Sequence, residues 1–299
     1  MDAAPSSSSS SFLLRHQFLI LRLHSLSGLL PVGAYMVIHL ITNASVLGGP
    51  DNFQRQVNTI HSLGPALPFV EWTFIFLPLI FHAVVGVIII RSGLSNTSSY
   101  RLSGNFRYML QRATAWIALF FIFYHVFQMH GWIHAGWWTR AIHDYGAQFN
   151  ADLATSSAAR ALASVPVRIA YVVGILACVY HLANGCWTMG ITWGLWTTPA
   201  AQRRANWLCG AIGIIVAAIG LGALVGMTTT DEATALASER VALEGRLTEL
   251  ERVKHDGGLG VDDKITEVKQ SLDTVQARQD ELRKTPDSEP APRQASLEK

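Results

Sequence analysis

Five long apolar segments constrain this 299-residue chain more than any other feature. A helix of about 20 apolar residues crosses the hydrocarbon core of a bilayer, and a helix satisfies all its backbone polar groups within the segment. We therefore expect an all-α fold, an integral membrane bundle of five transmembrane helices. The approximate bounds of the segments are 23–46, 69–91, 110–131, 167–194 and 206–227.

Charged residues divide the chain into two different parts. Residues 1–227 contain twelve Arg, no Lys and five acidic residues, whereas residues 228–299 contain eleven basic and sixteen acidic residues. We therefore predict a membrane domain over 15–227 and a soluble tail over 228–299. The Ser-rich segment 1–14 is predicted to be a disordered leader.

Two amphipathic helices are predicted within the tail. Leucine recurs with a seven-residue rhythm up to Val253, and aliphatic residues then continue in steps of three and four from Ile265 to Leu282. The segment HDGGLG at 255–260 separates the two runs. The pattern is typical of a helical hairpin or a coiled-coil contact, followed by a disordered end at 286–299. Its function stays open between a partner or oligomer contact and a solvated appendage.

Arginine is distributed unequally between the two sides of the predicted bundle. The side with the N-terminus holds eight Arg and one acidic residue, whereas the other side holds four Arg and four acidic residues. Since cytoplasmic loops carry an excess of Lys and Arg, we predict a cytoplasmic N-terminus. After five spans, the tail then emerges on the outer face. The eight arginines are Arg15, Arg22, Arg91, Arg101, Arg107, Arg112, Arg203 and Arg204.

Each of the first four apolar segments contains one central histidine: His39, His82, His125 and His181. A titratable side chain at membrane depth is costly, and it usually serves a ligand, a proton path or a partner. From the helical rise per residue, His39 and His125 lie about 20–25 Å from the cytoplasmic edge. His82 and His181 lie in the half nearer that edge. The sequence therefore predicts two levels, each with two imidazoles from different helices.

Two imidazoles at one depth match the pair of axial ligands that a haem b needs. We therefore predict two stacked haems that carry electrons across most of the membrane. Histidines that hydrogen-bond between helices are the alternative, and zinc or copper fits less well because these metals need three or four converging ligands. Small residues beside the ligands are expected to leave room for a flat macrocycle; they are Gly28, Gly33, Ala83, Gly86, Ala183 and Gly185.

Four motifs resemble one known family, the succinate dehydrogenase cytochrome b558 subunit. They are RLHSLSGLLPVG at 22–33, LPLIFHAVVG at 77–86, QRATAWIALFFIFYHV at 111–126 and YHLANGCWTMGITWG at 180–194. The resemblance covers about residues 13–227. It implies a five-helix, two-haem anchor of a succinate:menaquinone oxidoreductase in a bacterial inner membrane. The anchor of quinol:fumarate reductases is closely related.

The resemblance also implies ligand roles and partners. His82 and His181 are expected to bind the haem nearer the cytoplasm, and His39 and His125 the distal haem. A flavoprotein with FAD and an iron–sulfur protein are expected on the cytoplasmic face, passing electrons from succinate through both haems to quinone. The chain has no dinucleotide fingerprint and no cysteine cluster, so it is not expected to oxidise succinate alone. We expect no nucleic-acid partner, and a homo-oligomer of the complex stays open.

Other polar residues are candidates for quinone chemistry or cofactor contacts. Glu71 stands eleven residues before His82, near the level of the distal haem, where a carboxyl group could pass protons to quinone. The alternative is an interfacial carboxylate that a helix dipole favours. Arg22, His24 and Ser25 lie at the cytoplasmic mouth of the first helix. They could contact the propionates of the proximal haem or line a second quinone pocket, or simply anchor the helix.

Two alternative functions stay open. The anchor of a fumarate reductase uses the same electron path in reverse, and the sequence does not reveal the direction. The alternative of another class is a haem-free membrane transporter or scaffold whose histidines line a proton route. Interrupted helices at corresponding places in two repeated halves would favour a transporter, and the sequence shows no such repeat.

Overall fold

A computed structural model describes residues 16–92, 103–133 and 135–284. All regular elements in these residues are helical, and five helical runs are long and apolar enough to cross a membrane. The prediction of an all-α fold with five spans is therefore confirmed. The predicted leader 1–14 and the end 286–299 lie outside the described residues. The five spans are Gln17–Gly48, Gly64–Arg91, Asn105–His130, Val165–Thr192 and Pro199–Thr229.

The first span contains a widened, π-helical turn. It comprises α1 (Gln17–Ser27), a π-helical segment (Gly28–Gly33), α2 (Ala34–Ala44) and a 3-10 turn (Ser45–Gly48). Pro31 lies inside the π-helical segment. Since proline has no N–H and its ring crowds the preceding turn, a local π adjustment lets the helix continue through the membrane.

The second span has a similar interruption. It follows α3 (Pro50–His61) and comprises a 3-10 turn (Gly64–Ala66), α4 (Leu67–Glu71), a π-helical segment (Trp72–Phe76) and α5 (Leu77–Ser92). Pro78 cannot donate a hydrogen bond to the carbonyl of Phe74, which lies inside that π-helical segment. Neither interruption was predicted from the sequence, although Pro31 and Pro78 each remove a backbone N–H.

The fourth span lies at the centre of the packing. The remaining elements are α6 (Ser103–His130), α7 (Gly136–Ile142), a 3-10 turn (Ala151–Leu153), α8 (Ala154–Ala161), α9 (Val165–Thr192) and α10 (Pro199–Thr229). The helix α9 packs against α6 and α10, while α10 also packs against α2, and α1 packs against α5. Ser164 and Thr198 cap the N-termini of α9 and α10 by accepting hydrogen bonds from Val167 and Ala201.

A cluster of buried residues extends to the end of the bundle where the first span ends and the second begins. Val46, Phe53 and Leu162 are buried there with residues of α9 and α10. Gln54 is buried and joins two connections: its Nε2 donates to the Ala151 carbonyl (2.6 Å), and its Oε1 accepts from the Ala154 N–H (3.1 Å). The connecting helices α3 and α8 were not predicted.

The tail forms a helical hairpin within a second compact unit, Asp231–Lys299. It comprises α11 (Glu232–His255) and α12 (Asp262–Lys284), which pack against each other. Gly257 and Gly260 in the connecting turn have positive φ values of 85° and 74°, which glycine adopts without a steric penalty. The predicted hairpin is therefore present. The assignment of functional domains, including the haem-binding domain over 15–227, stays a prediction.

An ion pair joins the start of α11 to the last turns of α12. Arg278 of α12 donates from Nε to Glu232 Oε1 (2.8 Å) and from Nη2 to Oε2 (3.1 Å). The bidentate geometry fixes the guanidinium orientation. Hydrogen bonds with Glu232 and then Glu281 raise the pKa of Arg278 above its ordinary value.

Candidate functional site

The four membrane histidines form two pairs, each from two different spans. The ring centres of His39 and His125 lie 5.8 Å apart with 74° between the ring planes. Those of His82 and His181 lie 6.1 Å apart with 83° between the planes. The structure therefore brings together the same residues that the depth estimate grouped.

The separation within each pair fits two imidazoles that face one metal ion. Taking the metal–nitrogen length known for zinc, about 2.0–2.1 Å, and about 1 Å from nitrogen to ring centre, the centres should lie about 6 Å apart. The observed separations are 5.8 and 6.1 Å. Two imidazoles at this spacing would suit a low-spin haem, whose iron binds two nitrogen ligands from the protein.

The hydrogen bonds of His82 and His181 determine which ring nitrogen can bind a metal. His82 Nδ1 lies 3.0 Å from the His24 carbonyl oxygen, and His181 Nδ1 lies 3.3 Å from that of Gln111. Because a carbonyl oxygen only accepts, both Nδ1 atoms carry the proton, and the lone pair of each neutral ring is on Nε2. In a metal-binding histidine, the ring nitrogen that does not bind the metal usually donates its hydrogen to a carbonyl or carboxylate oxygen or to water.

The same conclusion holds for His125 through a longer network. His125 Nδ1 lies 3.1 Å from the Tyr171 hydroxyl, which donates its one hydrogen to Gln128 Oε1 (2.9 Å). Gln128 Nε2 donates to the Ala161 carbonyl (2.7 Å), and this contact fixes the orientation of the amide. The Tyr171 oxygen must therefore accept the hydrogen of His125 Nδ1, which again leaves the lone pair on Nε2.

His39 departs from this pattern. Asn43 Nδ2 lies 3.0 Å from His39 Nε2 and also donates to the His39 carbonyl (2.9 Å). Since the amide nitrogen donates, His39 Nε2 accepts in this structure. A rotation of the His39 ring or of the Asn43 side chain is therefore needed before Nε2 can face a metal.

His24 and Gly28 of the first span hold the ring of His82. The His24 ring stacks on the His82 ring, with centres 4.1 Å apart and 10° between the planes. A Cβ atom added at Gly28 would lie 2.3 Å from His82 Cε1. The space that the sequence analysis assigned to a macrocycle at Gly28 therefore holds the His82 ring itself.

Arg22 and Ser25 join the first span to the end of the fourth. Arg22 Nη2 donates to the Thr192 carbonyl (3.3 Å), and the guanidinium lies 5.1 Å from the centre of the Trp193 ring. The indole Nε1 of Trp193 donates to Ser25 Oγ (2.9 Å). These two residues therefore lie at the end of the bundle that also contains His24, and a contact with haem propionates or quinone stays a prediction.

A polar network behind His181 was not predicted. Gln111 Nε2 donates to the His181 carbonyl (3.2 Å), and Asn184 Nδ2 donates to Gln111 Oε1 (2.7 Å). Arg107 Nε in turn donates to Asn184 Oδ1. The available signal was the presence of polar side chains inside apolar spans, three or four residues from one another or from a ligand. The same signal applied to Gln128, three residues after His125.

Glu71 lies on the side of the bundle that holds the distal pair. It is half-buried at the last position of α4, directly before the π-helical segment of the second span. Its carboxylate lies within electrostatic range of Tyr35, and the Tyr35 ring centre is 5.6 Å from that of His39. A proton-transfer role for Glu71 stays a prediction.

Comparison with known proteins identifies the family. No family model matches the chain. The succinate dehydrogenase cytochrome b558 subunit of Bacillus subtilis (strain 168) is 35% identical over 208 residues, which cover 70% of this chain and 96% of the relative. The chain belongs to the succinate dehydrogenase cytochrome b558 subunit family. The resemblance inferred from the four motifs is therefore confirmed, and in this family member five apolar spans form a multi-pass membrane protein.

Proposed function

We propose that this chain is the di-haem cytochrome b membrane anchor of a succinate dehydrogenase. In this proposal it passes electrons from an iron–sulfur subunit through two b haems to quinone, with menaquinone as the expected acceptor. The observation that carries it is the geometry of the two histidine pairs, with centres 5.8 and 6.1 Å apart. Family membership supports the succinate dehydrogenase assignment over fumarate reduction, and paired metal ligands favour it over a haem-free transporter or scaffold.

Each histidine has a defined part in this function. His82 and His181 would bind the proximal haem iron, and His39 and His125 the distal one. Haem b, when bound, supplies reversible one-electron transfer. The Nδ1 hydrogen bonds to His24, Gln111 and Tyr171 orient three of these rings and increase the basicity of Nε2.

The partners are expected on the cytoplasmic face, at the end of the bundle with the arginine excess. A flavoprotein that carries FAD and an iron–sulfur protein would bind there, close to His24 and the proximal pair. The distribution of arginine favours a cytoplasmic N-terminus and an outer-face tail in a bacterial inner membrane. Arg22, His24 and Ser25 lie at this end, where propionates of the proximal haem or a quinone head group could accept their hydrogen bonds.

A spectroscopic assay of the purified complex tests this function. We expect succinate to produce a b-type reduced spectrum and a quinone to re-oxidise it. A complex with no b-type absorbance, or with haem that succinate does not reduce, would contradict the proposal.

Glu71→Gln is expected to slow quinone reduction about 100-fold, because the amide cannot relay the protons that quinone consumes. Both haem spectra should stay unchanged. The measurement compares succinate oxidation with quinone and with an artificial acceptor that takes electrons from the flavoprotein. Asp51→Asn is the matched control, since Asp51 is an exposed acid paired with Arg55 (2.6 Å). Haem loss in Glu71→Gln, or an unchanged quinone rate, would count against the role.

Tyr171→Phe is expected to raise the midpoint potential of one haem and leave the haem content unchanged. Removing the hydroxyl leaves His125 Nδ1–H without its acceptor, which makes the imidazole a weaker electron donor. A hydrogen bond of about 0.5–1.5 kcal/mol corresponds to about 20–60 mV for one electron. A redox titration measures the shift, with Tyr180→Phe on the same helix as control. Equal potentials in Tyr171→Phe and the parent protein would show that this bond does not tune the haem.

A further inference from the structure

A groove of about 630 Å³ opens on the surface of the bundle between α6, α9 and α10. None of the four membrane histidines lines it, although Ala183 and Asn184, two and three residues after His181, do. Its lining includes Arg107, Leu176, Asn184, Asn206, Gly210 and Ala217. Most of these side chains are apolar or small, and the polar ones gather near Arg107.

The groove has the dimensions of a binding site for a lipid chain. Asn206 and Ala217 both line it, and eleven residues of helix span about 16 Å. Leu176 and Ala217 lie at the apolar end, and Asn184 and Asn206 lie at the polar end. A Cβ atom added at Gly210 would meet no atom within 4 Å, so the glycine leaves open space. At membrane depth the molecules that reach such a groove are lipids.

The polar end carries a positive charge that no carboxylate neutralises among the residues that the structure describes in the membrane spans. Arg107 donates to Asn184 Oδ1 and from Nη1 to Asn206 Oδ1 (2.8 Å), and its guanidinium lies 3.8 Å from the Trp187 ring centre. These contacts orient the guanidinium without compensating its charge. No ion pair to Arg107 occurs among residues 16–92, 103–133 and 135–284.

The surrounding sequence strengthens the charge argument. No acidic residue occurs between Glu71 and Asp144 or between Asp152 and Asp231. Arg203 and Arg204, in the first turns of α10, add two exposed positive charges at the same end of that helix. The mouth of the groove therefore favours an anion.

We propose that this groove binds one anionic phospholipid, with its phosphate at Arg107 and an acyl chain along α9 and α10. Basic pockets between transmembrane helices recognise anionic head groups in this way, and a guanidinium can hold phosphate with two hydrogen bonds. A quinone fits less well because its neutral head group leaves the charge of Arg107 uncompensated. The site stands independently of the haem assignment.

The first test measures the lipid that the intact assembly retains. The protein, purified with its native partners, is exchanged into vesicles of equal phosphatidylglycerol and phosphatidylcholine with the same acyl chains, and bound lipid is counted by native mass spectrometry. We expect about a fivefold preference for phosphatidylglycerol, as for one basic residue at a membrane surface. Gly210→Leu should lose this lipid because the side chain fills the groove. Ala211→Leu, which is exposed and does not line the groove, should retain it.

A second pair of variants tests the contact between Arg107 and the lipid head group. This pair still tests the proposal if Gly210→Leu fails to assemble. Arg107→Gln should keep the lipid but lose the preference for phosphatidylglycerol. Arg112→Gln, on the same helix but outside the groove, should keep that preference. The proposal would be overturned if the parent protein retained both lipids equally, or if Gly210→Leu and Ala211→Leu lost the lipid to the same extent. It would also be overturned if Gly210→Leu displaced a quinone from the groove instead of a phospholipid.

Discussion

We expect His181→Ala to leave a protein with one haem b and to reduce succinate-to-quinone electron transfer to background. Alanine removes one of the two imidazoles of the proximal pair, whose ring centres are 6.1 Å apart. The remaining imidazole of His82 cannot supply both axial bonds. The absorption spectrum of the purified protein should lose one b-type component, and the distal component should stay.

His143→Ala is the matched control for this variant. His143 lies outside the five spans, and its side chain is 84% exposed, so both haems and the activity should persist. If His181→Ala instead retained both haems in full, His181 would not be an axial ligand and the pairing of imidazoles would be wrong.

We expect Gly28→Ala to weaken binding of the proximal haem, although Gly28 supplies no ligand. The new Cβ would lie 2.3 Å from His82 Cε1 and 2.7 Å from its Nδ1. Either the ring or the backbone of α1 must move, and overpacking of about 1–3 kcal/mol corresponds to about a 5- to 150-fold loss of affinity. The haem content of protein expressed with limiting haem measures the effect.

Gly245→Ala provides the comparison for this substitution. Gly245 lies within α11 of the tail, and a Cβ there would meet no atom within 4 Å, so the haem content of this variant should match that of the parent protein. Equal haem content in Gly28→Ala would show that the contact with His82 does not constrain the site.

The sequence was sufficient to predict the spans and the grouping of the histidines. Apolar length determines where a helix can cross a bilayer, and the rise per residue converts position into depth. His39 and His125 therefore had to lie at a similar level. Depth alone does not give the rotation of each helix, so it could not predict that Tyr171 rather than a backbone carbonyl accepts from His125.

The π-helical turns could not be predicted from the sequence for a related reason. Pro31 and Pro78 show that the hydrogen-bond ladder must be interrupted, but a kink, a 3-10 turn or a π turn would each accommodate proline. Packing selects among them: the turn that contains Gly28 is the one that lies against His82. The buried contacts of Gln54 likewise depend on two connections that meet only in the folded chain.

The tail shows which features the spacing of apolar residues can predict and which it cannot. The leucine rhythm predicted two helices, and Gly257 and Gly260 permit the turn between them. A heptad pattern is equally suited to pairing within a chain and between chains. The bidentate contact of Arg278 with Glu232, from the end of one helix to the start of the other, belongs to the intramolecular hairpin.

The haem-to-protein ratio of the purified complex tests the central claim most directly. The account predicts two haems b per copy of this chain, measured as the pyridine haemochrome against quantitative amino-acid analysis, with two separate steps in a redox titration. A ratio of one or zero, or two titration steps that both survive substitution of His39 and His125, would contradict it.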